Sequence, residues 1–120
     1  MLSIYKGALL FEAGDVDAKW EYNLSAPGAV QTGQWQHLAA VCEQGKRVRI
    51  FVKGKQVAEK AVTRDLVGNG EPLVLGREPW PGPDPGVTGP VFYHGLMGPI
   101  KFWTRALTDA ELAAEAASRP

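Results

Sequence analysis

The sequence predicts an all-β domain, an antiparallel sandwich or jelly roll of about seven or eight short strands with one short C-terminal helix. Three observations carry this. Apolar and polar residues alternate with period two in several short, separate stretches. Glycine-bearing turns such as Lys6-Gly7, Gln44-Gly45-Lys46 and Lys53-Gly54-Lys55 stand between them. A single helix start is written near the end, at Thr108-Asp109-Ala110-Glu111.

In order, residues 2–5 and 8–12 read as two strands around Lys6-Gly7, and 14–17 as a turn. Residues 19–24 alternate, with Trp20, Tyr22 and Leu24 on one face. After the Ala26-Pro27-Gly28 break, 34–43 reads as a strand, then 47–53 with Val48, Ile50 and Val52 opposite Arg47, Arg49, Phe51 and Lys53. Residues 56–62 form the next strand and 72–77 a buried one. The stretch 78–90 is dense in proline and glycine and reads as an irregular, functional excursion. In the stretch 92–112, Ile100 and Phe102 alternate with Lys101 and Trp103 as a strand. Thr108 and Glu111 then make a capping box, and Leu107 and Leu112 occupy the hydrophobic-staple positions on either side of it. The alanine-rich segment 110–117 is a good helix by propensity.

The 120 residues are read as one domain. Apolar content of 45% indicates an ordinary globular chain. The 13 basic and 13 acidic residues balance, and the basic ones are scattered, which argues against nucleic acid and membrane surfaces as partners. No apolar run is long enough to span a bilayer, and the N-terminus lacks a signal-peptide layout. Cys42 is the sole cysteine, so no disulfide framework is expected, and a small buried or half-buried thiol is the reading for it.

The blocks Thr32-Gly33-Gln34-Trp35-Gln36-His37-Leu38-Ala39-Ala40-Val41, Val48-Arg49-Ile50-Phe51-Val52-Lys53-Gly54-Lys55, Pro72-Leu73-Val74-Leu75-Gly76-Arg77 and Phe92 to Leu112 stand in an order and spacing that resembles laminin-G-like domains. These belong to the concanavalin A-like lectin/glucanase superfamily, and the resemblance implies its jelly-roll sandwich. It also implies a secreted or cell-surface setting within a larger protein. Two departures accompany it. Members usually carry further strands before the position where this chain begins, so either the domain is minimal or an open sheet edge or apolar face is left for another copy or another chain, and a homo-oligomer is the expectation. Gly98-Pro99 stands where the family often has an acidic pair that helps bind calcium.

No cofactor is required by the residues, and calcium is the possible one. Asp15 and Asp17 in one turn, Asp65 with Asn69, and Asp84 offer oxygens, although they read first as solvated turn residues. His37, His94 and Cys42 are too scattered to define a zinc or copper site. Glycoside hydrolysis needs a carboxylate pair. The Glu-x-Asp-x-x-Glu pattern of related glucanases is absent, and no serine sits in a nucleophile context, so no enzyme is expected.

Recognition remains. Sugars are bound by aromatic rings stacked on their apolar faces, with polar groups fixing the hydroxyls. The expected ligand surface comprises Trp80 and Asp84 in the proline-rich excursion, Trp20 and Tyr22 on one strand face, and Tyr93 beside His94. Trp80 has a rival role in pinning its own loop, and Trp20 and Tyr22 fit a core equally well. Trp35 and Trp103 read as core. A glycan-binding module and a protein-interaction or scaffolding domain are thus the two open classes.

Overall fold

The computed structural model describes residues 1–14, 21–68, 70, 72–81 and 88–118. Among these, eight strands and one helix follow in the order β1 (Leu2–Tyr5), β2 (Ala8–Phe11), β3 (Leu24–Ala26), β4 (Leu38–Glu43), β5 (Arg47–Val52), β6 (Lys55–Ala61), β7 (Arg77–Pro81), β8 (Pro90–Phe92) and α1 (Asp109–Ala117). They divide into two units, residues 1–67 with 102–120, and residues 68–101.

The first unit is a sandwich of two antiparallel sheets, ordered β1-β2-β3 and β4-β5-β6. Its hairpins follow from turn chemistry. Lys6 and Gly7 both have positive φ (48° and 78°), as do Lys53 and Gly54 (52° and 74°). Two successive positive φ values define the two-residue turn whose twist matches that of the flanking strands. The hydrophobic middle lies between the sheets, where Leu9 and Ala26 meet Ile50 and Val52. Tyr22, Val48 and Val62 continue it toward one end.

Strand β5 has the predicted period, but both of its faces are closed. Val48, Ile50 and Val52 pack toward β1-β2-β3, while Phe51 joins Val41, Leu107 and Leu112 beneath the helix. The register between β5 and β6 shifts between Ile50 and Phe51, because Ile50 pairs with Ala58 and Phe51 with Gln56, leaving Val57 as the extra residue of a bulge.

Helix α1 begins as the sequence dictates. Thr108 accepts from the Glu111 backbone N–H at 3.2 Å, and Glu111 accepts from the Thr108 backbone N–H at 2.8 Å. Leu107 and Leu112 are both buried in one cluster, so the staple closes. The Arg105 guanidinium clamps the same Glu111 carboxylate with two bonds, at 2.6 and 2.9 Å. This clamp, and then the Thr108 amide, hold the Glu111 carboxyl down at about 2. A carboxyl depressed in the folded state contributes stability above its unfolded value near 4.5 and loses it as pH falls through about 2. The urea midpoint of the wild type is therefore expected to fall across that window, and Glu111→Gln should flatten part of the fall. A wild-type midpoint constant over the window would refute the clamp.

The second unit contains an antiparallel ribbon of β7 and β8, with Arg77 opposite Phe92 and Glu78 opposite Val91. Two expectations change here. Residues 72–75 form no strand and Leu73 and Leu75 are exposed; pairing starts only at Arg77, after Gly76 turns with φ +78°. The expected irregular excursion 78–90 is thus paired at its two ends. The other change concerns Ile100 to Trp103, which form no strand. Pro99 lacks a ladder donor, no described strand pairs with them, and their apolar side chains are left exposed.

Candidate functional site

Of the expected ligand residues, Tyr22 lies in the first unit and Trp80, Tyr93 and His94 in the second. Trp80 lies in β7. Trp20, Asp84, Asp15, Asp17 and Asn69 lie outside the described residues. Tyr93 and His94 are exposed just after β8, with the Tyr93 ring packed over Gly95.

Tyr22 corrects its expectation as a surface contact, because it is fully buried. Its hydroxyl donates to the Arg64 carbonyl at 2.6 Å and accepts from the Gly45 N–H at 3.0 Å. A ring so enclosed presents no face to a ligand. Beside it, the Glu21 carboxylate accepts from the backbone N–H groups of Thr63 and Arg64, at 3.0 and 2.9 Å. Desolvation pushes that carboxyl up, but these amides outweigh it and hold it below its usual value.

Asp65 is exposed, with its carboxylate next to Gly45. Among the described residues no group of three or more histidine, cysteine or acidic side chains comes close enough to hold a metal ion. Cys42 is half-buried, and desolvation pushes its thiol up to about 11, so it carries no thiolate near neutral pH.

A groove of about 550 Å³ runs beside β5, lined by Glu43, Arg47, Arg49, Gln56, Glu59 and Asp109 among others. Its charges are spent on one another. Buried Arg49 pairs with Asp109 at 2.5 Å and Glu43 at 3.4 Å, and Arg47 pairs with Glu43 at 2.8 Å and Glu59 at 3.5 Å. The guanidinium of Arg49 also stacks 5.2 Å from the centre of the Phe51 ring. Bonds from Arg47 and then Lys46 hold the Glu43 carboxyl below its usual value, so it offers no proton for general acid chemistry near neutral pH. The network ties the start of α1 to the sheet.

Both tryptophans whose side chains are described, Trp35 and Trp103, read as core from the sequence and are exposed instead. Trp35 is 62% exposed, and Trp103 is 44% exposed. Trp35 sits in the loop before β4, whose first strand residue is Leu38, four positions later than the expected start. The loop is pinned along its length. Val30 N–H donates to the Gly7 carbonyl at 3.0 Å, Gln31 N–H to Gln36 Oε1 at 2.7 Å, and Lys53 N–H to the His37 carbonyl at 2.8 Å. Lys53 Nζ donates to Gln34 Oε1 at 3.3 Å. The glutamines flanking Trp35 thus spend their carbonyl oxygens, Gln36 on the Gln31 N–H of the loop and Gln34 on Lys53, leaving each NH₂ without a protein partner among the described residues. The sequence carried a signal for this. Thr32-Gly33-Gln34-Trp35-Gln36-His37 is one aromatic among polar residues after a glycine, which is loop composition.

The first unit is thus a β-sandwich that exposes an indole between two glutamines and pairs Glu43 and Asp109 of its groove with arginines. The family is the concanavalin A-like lectin/glucanases superfamily: a laminin-G-type profile matches residues 5–113, and the chain belongs to it. No curated protein matches the chain. Among solved structures it is similar to an S-layer domain-containing protein (residues 221–444) from Clostridium thermocellum ATCC 27405. The TM-score is 0.58 at 15% identity, over 91% of this chain and 51% of that one. The chain thus spans about half the length of that structure, and the likeness shows the fold alone.

Proposed function

We propose that the domain is a non-catalytic glycan-binding module of an extracellular or cell-surface protein, and that Trp35 is its principal contact. The observation that carries this reading is the exposed indole on a pinned loop, bracketed by the NH₂ groups of Gln34 and Gln36, which meet no protein partner among the described residues. The ring supplies an apolar platform for a sugar face, and the amides supply donors for its hydroxyls. Because the loop is already ordered, binding costs little further conformational entropy.

The test is calorimetric titration of the domain with a panel of polysaccharides, with calcium and then with chelator. Trp35→Ala should weaken binding about thirtyfold, the effect of losing a contact of about 2 kcal/mol. Its urea midpoint should stay near that of the wild type, because an exposed ring contributes little to stability. Binding that survives this substitution unchanged would reject the site. Loss of binding in chelator would assign calcium a part.

A second reading, protein docking or self-association, is favoured by the exposed apolar side chains of the second unit, including Leu73, Leu75, Phe92, Leu96 and Met97. A sedimentation profile that stays monomeric at every concentration would remove the homo-oligomer form of it.

A further inference from the structure

We propose that the Trp35 surface takes an anionic saccharide, whose carboxylate or sulfate is read by Lys53 with Lys55 beside it. This rests on the glycan reading of the same site. Lys53 crosses the loop: its backbone N–H is bonded to His37 and its ammonium to Gln34, the neighbour of Trp35. That second partner is a neutral amide. Neither Lys53 nor Lys55 makes an ion pair among the described residues, and both are exposed. The basic side chains around α1 differ, since Lys46, Arg47, Arg49 and Arg105 each meet a carboxylate.

The local sequence leaves this charge uncancelled. Residues 31–37 and 52–57 contain these two lysines and no aspartate or glutamate; α1, packed against Gly54 through Ala113 and Ala116, carries Glu111, which Arg105 holds, and Glu115, which pairs with neither lysine. The chain as a whole is neutral, so positive charge here is a local feature beside the exposed indole. An ammonium has three donors, and the bond to Gln34 uses one. The other two can meet an acid group while the ring stacks and the glutamine amides take hydroxyls. Lysine acts as a hydrated point charge and serves carboxylate and sulfate alike.

The turn allows a clean test. Lys53 has φ +52° before Gly54, and Asn-Gly is the dipeptide such a turn favours. Lys53→Asn therefore removes the charge while suiting the backbone, and Lys55→Gln completes the removal. The wild type, this double variant and Trp35→Ala are titrated with a neutral glucan oligosaccharide, an oligouronate and a sulfated galactan oligosaccharide. The titrations are run at about 0.05 M and about 0.5 M salt, where screening differs several-fold.

The wild type should bind one or both anionic probes about fivefold or more tightly than the neutral one at low salt. High salt and the double variant should each erase that preference, with the melting temperature of the variant no lower, and Trp35→Ala should weaken every probe. The uronate and sulfate arms identify the acid group. Equal, Trp35-dependent binding of all three probes overturns the charge inference and leaves the glycan reading standing. So does an anionic preference that survives in the double variant. Absence of binding by every probe overturns the glycan reading, and the inference with it.

Discussion

Gly54→Ala should cost about 2–5 kcal/mol of stability, far more than its position on a surface hairpin suggests. Two costs combine. At φ +74° a residue with a Cβ bears about 1–2 kcal/mol of backbone strain. The added Cβ would also lie 3.0 Å from Ala113 Cα and 3.0 Å from Ala116 Cβ, so the helix must shift or the turn must open. Overpacking of this kind costs about 1–3 kcal/mol. Gly28 separates the two, because it has a similar φ of +67° and a Cβ added there would meet nothing within 4 Å. Gly28→Ala should show the strain alone. Equal urea midpoints for the two variants would mean that the helix contact contributes nothing.

Phe51→Ala should destabilise the domain by about 3–5 kcal/mol and release α1 before the sandwich unfolds. The ring is buried against Val41, Leu107 and Leu112 and supports the Arg49 guanidinium that reaches Asp109 at the helix start. Its removal leaves a cavity under the helix and unseats the ion network in one step. Phe102→Ala is the comparison. That ring is 68% exposed, and its loss should change stability by less than about 0.5 kcal/mol. Hydrogen exchange should show early opening of Leu112 to Ala117 in Phe51→Ala and no change there in Phe102→Ala. A loss under about 1 kcal/mol in Phe51→Ala would contradict the helix-facing core.

Much of the fold is legible from the residues, because short-range chemistry decides it. Lys6-Gly7 and Lys53-Gly54 announce two-residue turns, and those turns set the pairing of β1 with β2 and of β5 with β6. The capping box and staple around Thr108 are local for the same reason. The site is less legible. Trp35 and Tyr22 both sit in stretches that alternate, and alternation assigns a face without saying whether that face is covered. Tyr22 is enclosed by Gly45 and Arg64, partners distant in sequence, while the strand expected to bury Trp35 starts only at Leu38.

The order of residues is enough to specify an antiparallel sandwich, its Lys6-Gly7 and Lys53-Gly54 hairpins, and the start of the helix at Thr108. Which apolar faces are closed is settled only by packing. Arg49 and Phe51 share the face opposite Val48, Ile50 and Val52, and they are buried because α1 comes back over it. Ile100 and Phe102 carry an equally good strand pattern and stay exposed, because no described strand offers them a ladder. Period and propensity act within a few residues, whereas burial depends on what the rest of the chain brings to that face.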